Sequence, residues 1–397
     1  MAHNRSRFFA AQLMLLTVFF VSSLSNIGAQ YDGVGSGSIV DGNANGKTKA
    51  LLSNLRLMAG KGVMFGHQDD LAYGVRWKRE DKRSDVKDVA GAYPAVYGWD
   101  VSKIELGWTQ NIDSVNFDDL RHYIKEAYRR GGVNTISWHM ENPVTKGNAW
   151  DTTSAVKTIL PGGIHHEAYK TNLAVFARYV RSLRPGWFAQ RVPIIFRPFH
   201  EHTGGWFWWG KGHASPEEYK AIWQFTVTYL RDSLNVHQLL YAYSPDKTQS
   251  KEEYLRCYPG DDYVDILGLD NYYRSPRDKA FIVSQMGMVG EIAKEKHKPA
   301  ALTETGSEGI PNGQWWTDEL LGMLKADSMT QRLVYLVVWR NANAHHHYAP
   351  YLGHSSAENF KVFSKDPFVI LGDRVPRMYE VRDENAELGT DRRSVVL

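Results

Sequence analysis

The 397-residue sequence predicts one α/β domain folded as a (β/α)8 TIM barrel with extended loops at its C-terminal face. Eight short runs of apolar and β-branched residues recur along the chain, and helical patterns lie between several of them. Near-continuous apolar runs are typical of parallel strands that are buried on both faces. Because the runs alternate with helices, each pair makes a βα unit, and eight such units fit one barrel in a chain of this length.

The predicted strands are followed by loops of polar and aromatic residues. They are Val63–His67, Ala95–Asp100, Val133–His139, Val192–Glu201, Leu239–Ser244, Val264–Asp270, Pro299–Glu304 and Val334–Arg340. Helical periodicity predicts helices over Asp118–Arg130, Glu167–Leu183 and Pro216–Leu234. The third should begin at Ser215 as N-cap, because a proline at the first helical position loses no helical hydrogen bond.

Residues 1–29 have the pattern of a secretory signal peptide. Two arginines precede an apolar run over 8–21, and a small, polar stretch ends at Ala29. We expect cleavage before Gln30 and export to the periplasm or the medium. The apolar run is shorter than the roughly 20 residues that span a bilayer. The single cysteine, Cys257, lies far from the cleavage site, where a lipid anchor would need one, so we expect no stable membrane anchor.

The rest of the chain reads as one domain with two short flanks. Residues 30–46 are rich in Gly, Ser, Asn and Asp, and we expect a flexible lead that buries little. Residues 47–380 contain all eight strands without an evident linker, which predicts a single domain, and we expect it to be a monomer. Residues 381–397 form a charged tail. One cysteine excludes an intramolecular disulfide and a multi-cysteine zinc cluster.

The charge balance excludes several classes of partner. The chain has 47 Lys and Arg against 44 Asp and Glu, a formal net charge of +3, and no long basic run. Affinity for nucleic acid comes largely from basic side chains that neutralise phosphates, so no nucleic-acid partner is expected. Because the chain has no long basic run, binding to an anionic membrane surface is not expected either.

Polar residues close seven of the eight predicted strands. They are His67, Asp100, His139, His200 with Glu201, Asp270, Glu304, and Trp339 with Arg340. The C-terminal ends of barrel strands share one rim, so residues far apart in sequence converge there. A single site explains this pattern better than a separate structural reason for each residue.

Two of these residues, Glu201 and Glu304, are candidate catalytic carboxyls. Cleavage of a glycosidic bond needs one protonated carboxyl for the leaving oxygen and one ionised carboxylate for the developing positive charge. Either glutamate taken alone would be better explained as a surface or ion-paired residue, but this explanation weakens because each lies at the end of a buried strand. We expect Arg197 and His200 to adjust the ionisation of Glu201. For Glu304, we expect this role to belong to the groups that Arg340 contacts.

The segments around both glutamates resemble a known family. RPFHEHTGGWFWWG at 197–210 and LTETG at 302–306 are similar to motifs of glycoside hydrolase family 26, whose characteristic members are β-mannanases. The resemblance covers about 47–379, and the first motif is the more specific one.

The resemblance implies a role for each matching residue. Glu201 would be the general acid/base and Glu304 the nucleophile of a retaining double displacement, with no cofactor and no metal. His200 and Tyr272 would orient and hydrogen-bond the nucleophile. The residues implied to line the sugar subsites are His139, Asp270, Trp206, Trp339 and Arg340.

The sequence contains two further clusters, one of tryptophans and one of histidines. Trp206, Trp208 and Trp209 crowd the loop after the fourth strand, and we expect at least one of them to stack on a sugar ring. Residues 345–347 are three consecutive histidines, but adjacent side chains point in different directions, so we expect a polar rim loop and no metal site.

The sequence thus favours a retaining β-1,4-mannanase that acts on mannan, glucomannan or galactomannan. Two long loops, 141–167 and 341–360, either close one end of the groove, giving mannobiose from chain ends, or leave it open for internal cutting. The alternatives are a related β-glucanase or xylanase and a non-catalytic carbohydrate-binding barrel.

Overall fold

Eight parallel strands close into a barrel in the computed structural model, which describes residues 37–186 and 188–381. They are β1 Val63–Gln68, β2 Val96–Asp100, β3 Val133–Ser137, β4 Ile194–Arg197, β5 Leu239–Tyr243, β6 Ile266–Tyr272, β7 Ala300–Gly306 and β8 Leu333–Val338. The last strand pairs with the first, with Met64 opposite Tyr335 and His67 opposite Val338. The predicted (β/α)8 barrel is confirmed.

The strand boundaries differ most from the prediction at β4. The predicted run 192–201 is reduced to Ile194–Arg197, because Pro193 and Pro198 flank it and proline has no N–H for the strand ladder. His200 and Glu201 therefore lie in the turn after β4, outside the strand. Strands β6 and β7 both continue two residues beyond their predicted ends.

The helices lie between the strands as expected for βα units. They are α1 Gly46–Met58, α2 Asp85–Ala90, α3 Phe117–Arg129, α4 Val156–Ile159, α5 His166–Arg181, α6 Pro216–Thr228, α7 Lys251–Arg256, α8 Lys279–Glu295, α9 Gly322–Leu324 and α10 Ala357–Lys365. Ser215 is the N-cap of α6, and its hydroxyl accepts from the Glu218 N–H while the Glu218 carboxylate accepts from the Ser215 N–H. This capping box agrees with the predicted helix start.

Shorter elements complete the chain. The helix α6 continues into a π-helical turn, Tyr229–Ser233, and α9 is preceded by another, Trp316–Leu321. A small antiparallel hairpin pairs Tyr73–Gly74 with Trp77–Lys78 after β1. A short strand, Val369–Ile370, adds to the outside of β1. Four 3-10 turns lie at Ile104–Leu106, Asp261–Tyr263, Pro276–Asp278 and Thr330–Arg332.

The core has two layers because successive strand residues face opposite sides. On β1, Met64 packs in the barrel interior with the apolar face of α1, whereas Phe65 faces the outer helices and contacts Trp316 and Phe360. The interior layer at the N-terminal ends of the strands is thus closed by α1. The opposite ends are left free for polar side chains.

The lead segment is shorter than the sequence predicts. Residues 37–45, assigned above to a flexible lead, include the buried Val40 and Ala44. The Val40 N–H donates to the buried Asp265 carboxylate, and Asn45 caps α1 by accepting from the Thr48 N–H. Because the segment contains few apolar residues, its sequence did not indicate that these polar contacts hold it to the barrel.

The described residues belong to one compact unit. Among them, no helix has the length and apolar character needed to cross a membrane. The predicted signal peptide and most of the predicted charged tail lie outside the described residues.

Candidate active site

A bulge in β7 turns Glu304 toward the barrel interior. Leu269 of β6 pairs with Leu302, but the next residue, Asp270, pairs with Glu304, so Thr303 is an extra residue on β7. Strict alternation would place Glu304 on the same outer face as Leu302. The bulge re-aims the side chain, a common device beside active sites.

Glu304 is held at both carboxylate oxygens. The Tyr272 hydroxyl donates to Oε1 at 2.6 Å, and Arg197 Nη2 donates to Oε2 at 2.5 Å. The side chain is buried, with 5% of the residue exposed. The two donors fix both oxygens of the carboxyl group, so Glu304 has the single orientation that a nucleophile needs.

Arg197 is the centre of a buried ion network beneath the two glutamates. Its Nη1 donates to Asp270 Oδ2 at 2.6 Å and to Ser244 Oγ at 3.1 Å. Although burial alone would lower the pKa of Arg197, the carboxylates of Asp270 and Glu304 raise it. The guanidinium is therefore permanently charged.

Glu201 has a different environment. Its backbone N–H donates to the Ser244 carbonyl at 2.8 Å, and its φ of 54° lies in the left-handed region, which is uncommon for a glutamate. Its Oε2 accepts one hydrogen bond from the Trp206 indole at 2.9 Å. Burial, followed by the negative charges of Glu304 and Asp270, raises the pKa of Glu201 well above its usual range.

Two expectations about this network are wrong. Arg197 was expected to tune Glu201, but it contacts Glu304, since it lies on the inner face of β4 before the turn that carries Glu201. Asp270 was expected to line a sugar subsite, but its side chain is completely buried between Arg197 and the Thr303 hydroxyl. Asp270 therefore has no exposed surface to offer a sugar and is placed to orient Arg197.

A chain of three side chains runs along the β2 and β3 side of the site. His139 Nδ1 lies 2.8 Å from Asp100 Oδ2, and its Nε2 lies 3.2 Å from His200 Nε2. Burial would lower the pKa of His139, but the Asp100 carboxylate raises it. Burial, together with the neighbouring His139 and Arg197, lowers the pKa of His200 well below its usual value. His200 is therefore neutral at physiological pH.

This chain corrects the expected role of His200. The resemblance implied that His200 and Tyr272 both hydrogen-bond the nucleophile. Tyr272 does so, but the hydrogen bond that His200 makes in the described part of the chain goes to His139. The reason is the turn after β4, which directs the imidazole toward β3.

The three tryptophans after β4 separate into one exposed and two buried rings. Trp206 is 38% exposed, while Trp208 and Trp209 are fully buried and donate their indole N–H groups to the carbonyls of Met140 and His200. Trp206 is thus the one of the three that a sugar can reach.

Trp150 is a further aromatic residue of the site, which no sequence motif predicted. This residue is 46% exposed and stacks on His139, with 5.3 Å between ring centroids and 14° between planes. It comes from the long loop after β3, so the unusual loop length was the available signal. Together with Trp206, it offers an open aromatic face beside the carboxyls.

The residues that follow β8 lie at the other side of the site. Trp339 is half-buried, with its ring 6.3 Å from His139 and nearly perpendicular to it. Arg340 pairs through Nε with Asp113 at 2.9 Å, and Nη1 donates to the Tyr73 hydroxyl at 3.4 Å. Arg340 therefore connects to the loops after β1 and β2.

His67 does not join the site. It lies on the same outer face of β1 as Phe65, and its Nδ1 is 2.8 Å from the buried Asp70. The expectation that seven strand ends converge is therefore wrong for β1, since position along a strand does not decide which face a residue takes.

Within the described residues, no group of three or more His, Cys, Asp or Glu side chains has an arrangement that could hold a metal ion. In the histidine segment, His346 lies 2.7 Å from Glu308, and His347 is buried. The candidate chemistry rests on two glutamates beside exposed aromatic rings: Glu201, whose pKa is raised, and Glu304, which is held by a guanidinium and a phenol. This combination suits acid-assisted cleavage of a glycosidic bond.

Comparison with known proteins supports this chemistry. The sequence profile described as Glycosyl hydrolase family 26 matches residues 40–370. A mannan endo-1,4-beta-mannosidase from Bifidobacterium adolescentis is 34% identical over 377 residues, which cover 88% of this chain and 37% of that enzyme. The chain thus spans little more than a third of the length of that relative. A mannan endo-1,4-beta-mannosidase from Bacillus subtilis is 29% identical, over 68% of this chain and 74% of the relative.

Solved structures agree with the sequence comparison. A GH26 beta-mannanase from Bacteroides ovatus has a TM-score of 0.82 and 42% identity, over 85% of this chain and 98% of that one. An endo-beta-1,4-mannanase from Cellulomonas fimi has a TM-score of 0.80 and 37% identity, over 86% of this chain and 79% of that one. The resemblance noted from the two glutamate motifs is confirmed, and the chain belongs to glycoside hydrolase family 26.

Proposed function

We propose that the protein is a retaining β-1,4-mannanase that hydrolyses mannan, glucomannan or galactomannan. The observation that carries the proposal is the contrast between two neighbouring carboxyls. Glu304 accepts from a guanidinium and a phenol, whereas Glu201 accepts from a single indole and has a raised pKa. One fold thus holds a ready nucleophile and a ready acid side by side.

In the first step, Glu304 attacks the anomeric carbon while Glu201 gives its proton to the bridging oxygen. A retaining enzyme needs about 5–5.5 Å between the two carboxyls for this displacement. Arg197 and Tyr272 orient the attacking carboxylate through the two hydrogen bonds described above. The developing positive charge of the sugar meets the negative charge of Glu304.

In the second step, Glu201 takes a proton from water, which attacks the glycosyl-enzyme. Formation of the covalent bond removes the charge of Glu304, and that charge is one cause of the raised pKa of Glu201. The pKa of Glu201 should therefore fall when the intermediate forms, which makes its carboxylate available as the base. The exchange of roles follows from the proximity of the two groups.

The choice of mannan as substrate rests on the relatives. Both the Bifidobacterium adolescentis and the Bacillus subtilis proteins bear the name mannan endo-1,4-beta-mannosidase. Endo action is the mode that these names favour. The exposed rings of Trp206 and Trp150 would stack on the apolar faces of sugar units beside the cut.

We also propose that the enzyme is exported, with the predicted signal peptide removed before Gln30. Polymeric mannan is met outside the cytoplasm, which agrees with a periplasmic or secreted enzyme. N-terminal sequencing of the exported protein should begin at Gln30, and recovery only of a cytoplasmic chain that begins at Met1 would contradict export.

The product profile tests substrate and mode of action. Purified 30–397 should convert linear β-1,4-manno-oligosaccharides and mannan into a ladder of sizes in a time course read by chromatography. Xylan and mixed-linkage β-glucan serve as parallel substrates. Mannobiose as the sole early product would replace endo action with release from chain ends, and products only from the parallel substrates would contradict the mannanase assignment.

Removal of the acid/base tests the retaining mechanism. Glu201→Ala should lower kcat on mannan by about 10²–10⁴-fold, because protonation of the leaving oxygen is lost. On an aryl mannoside with a good leaving group, azide should restore turnover and give a β-glycosyl azide, identified by NMR.

The matched control for this substitution is Glu358→Ala, which removes an exposed glutamate of α10 and should leave kcat unchanged. An α-configured azide product would exclude double displacement through Glu304. A Glu304→Gln variant should lose turnover while it keeps affinity for manno-oligosaccharides, whereas a non-catalytic binding barrel has no turnover to lose.

The pKa of Glu201 should depend on Glu304. In Glu304→Gln a neighbouring negative charge is gone, so the pKa of Glu201 should fall toward its usual range, as read by carboxyl ¹³C NMR. In the wild type, kcat/KM should fall on the alkaline side as Glu201 loses its proton. Glu308→Gln, on the rim, is the control and should leave the Glu201 titration in place; an unchanged titration in Glu304→Gln would refute the coupling.

A further inference from the structure

Four side chains form a closed ring beside the site, between the loops that follow β1, β2 and β8. Asp69 Oδ2 accepts from the Tyr73 hydroxyl at 2.8 Å, and that hydroxyl accepts from Arg340 Nη1 at 3.4 Å. Arg340 Nε lies 2.9 Å from Asp113 Oδ1. The Asp113 carboxyl group lies close enough to Asp69 that its negative charge raises the pKa of Asp69, so the two carboxyl groups complete the ring.

The proximity of two buried carboxyl groups favours retention of a proton. Asp69 is fully buried and the Asp113 side chain is 4% exposed, so water does not screen them. Asp69 Oδ1 and Asp113 Oδ2 are both buried and find no N–H or O–H donor among the described residues. Two carboxylates accept hydrogen bonds and cannot donate them, so these oxygens can bond to each other only if one carboxyl is protonated.

The count of charges in the ring leads to the same conclusion. The ring has one cation, Arg340, for two carboxyls, and two neighbouring buried like charges are strongly unfavourable. Asp113 pairs with the guanidinium, whereas the Asp69 carboxyl accepts its hydrogen bond from the neutral Tyr73 hydroxyl. The proton therefore belongs mainly on Asp69, which leaves Asp113 as the counter-ion of Arg340.

The charged groups that face the ring from neighbouring strands do not change this balance. Asp100, at the end of β2, adds negative charge near both aspartates. His139, at the end of β3, acts on Asp113 in the opposite sense, and it pairs directly with Asp100. Burial is the largest cause of the raised pKa of both aspartates, and Asp100 acts in the same direction on each.

We propose that Asp69 and Asp113 share one proton and that this acid pair is the positioning device that holds Arg340 at the sugar-binding groove. The inference rests on the proposed function, since it assumes that Arg340 meets a sugar. Two of the guanidinium nitrogens are taken by the ring, and Nη2 makes no hydrogen bond with the described residues. Nη2 is therefore the donor offered to a hydroxyl group of the bound mannan unit.

The acid pair makes sugar binding depend on pH separately from the chemistry. When the shared proton is lost, two adjacent buried carboxylates repel each other and the ring opens. Arg340 then loses its fixed orientation, so KM should rise while kcat, set by the glutamates, follows its own profile. A residue that is only structural would not separate the two constants in this way.

The first test compares KM and kcat against pH for the wild type, Asp69→Asn and Asp265→Asn on mannopentaose. Asparagine at 69 donates its amide N–H to Asp113 and accepts from Tyr73, so it imitates the protonated state permanently. The wild-type KM should rise on the alkaline side, whereas the Asp69→Asn KM should stay low across the range. Asp265→Asn removes a buried carboxyl that accepts the Val40 and Tyr241 N–H groups, away from the groove, and should follow the wild type.

Two further variants test the acid pair without relying on Asp69→Asn alone. Asp69→Ala cannot form the ring and should raise KM about tenfold with kcat unchanged, since one charge-assisted contact is lost. Asp113→Asn leaves a single carboxyl in the ring and should also remove the pH dependence of KM. Superimposable KM curves for the wild type and both asparagine variants, rising or flat, would overturn the proposal.

A second readout needs no substrate and so separates this inference from the proposed function. Asp69 keeps a proton in the folded state that the unfolded chain releases above about pH 4. The melting temperature of the wild type should therefore fall relative to that of Asp69→Asn as the pH rises above about 4. A constant difference between the two curves would overturn the shared proton, whereas failure to cleave mannan with a pH-dependent difference would overturn only the mannanase assignment.

Discussion

The site depends on one buried cation, Arg197. Its guanidinium contacts Asp270 and Glu304 at 2.6 and 2.5 Å, inside a barrel where water does not compensate unpaired charge. Removal of one member of such a buried network typically costs about 3–5 kcal/mol, because the remaining charges stay buried without a partner. The contact between Arg197 and Glu304 therefore positions the nucleophile, and the same guanidinium stabilises two carboxylates that would otherwise be buried without a partner. Arg197 thus constrains both the fold and the function.

The difference between the two glutamates follows from where Arg197 can reach. The guanidinium extends from the inner face of β4 toward β6 and β7, so it contacts Glu304. Glu201 lies four residues later in the turn, with the indole of Trp206 as its hydrogen-bond donor. One carboxyl thus receives the positive charge and the other receives burial and like charge, which is the separation of acid and nucleophile that glycosidic cleavage needs.

The sequence predicted the barrel and the two glutamates because both leave local marks. Continuous apolar runs mark buried parallel strands, and Glu201 lies within a specific motif, whereas the motif around Glu304 is weak by itself. Which face a strand-end residue takes was not predictable, since it depends on register. The bulge at Thr303 brings Glu304 inward, while unbroken alternation on β1 keeps His67 outside. Asp270 and His200 were predicted as site residues from the sequence, but the groups that they contact could be identified only from the structure.

A single rule connects the glutamate pair with the acid pair at Arg340. In each place carboxyls outnumber the guanidinium beside them: Arg197 serves Glu304 and Asp270 with Glu201 nearby, and Arg340 serves Asp113 with Asp69 nearby. Burial forbids the surplus negative charge, so a proton takes the place of the missing cation. It resides on the carboxyl that the guanidinium does not touch. At Glu201 that proton is transferred to the substrate. At Asp69 it stays buried between loops and keeps Arg340 in position. The same excess of carboxyls over guanidinium groups thus serves catalysis at one place and positioning at the other.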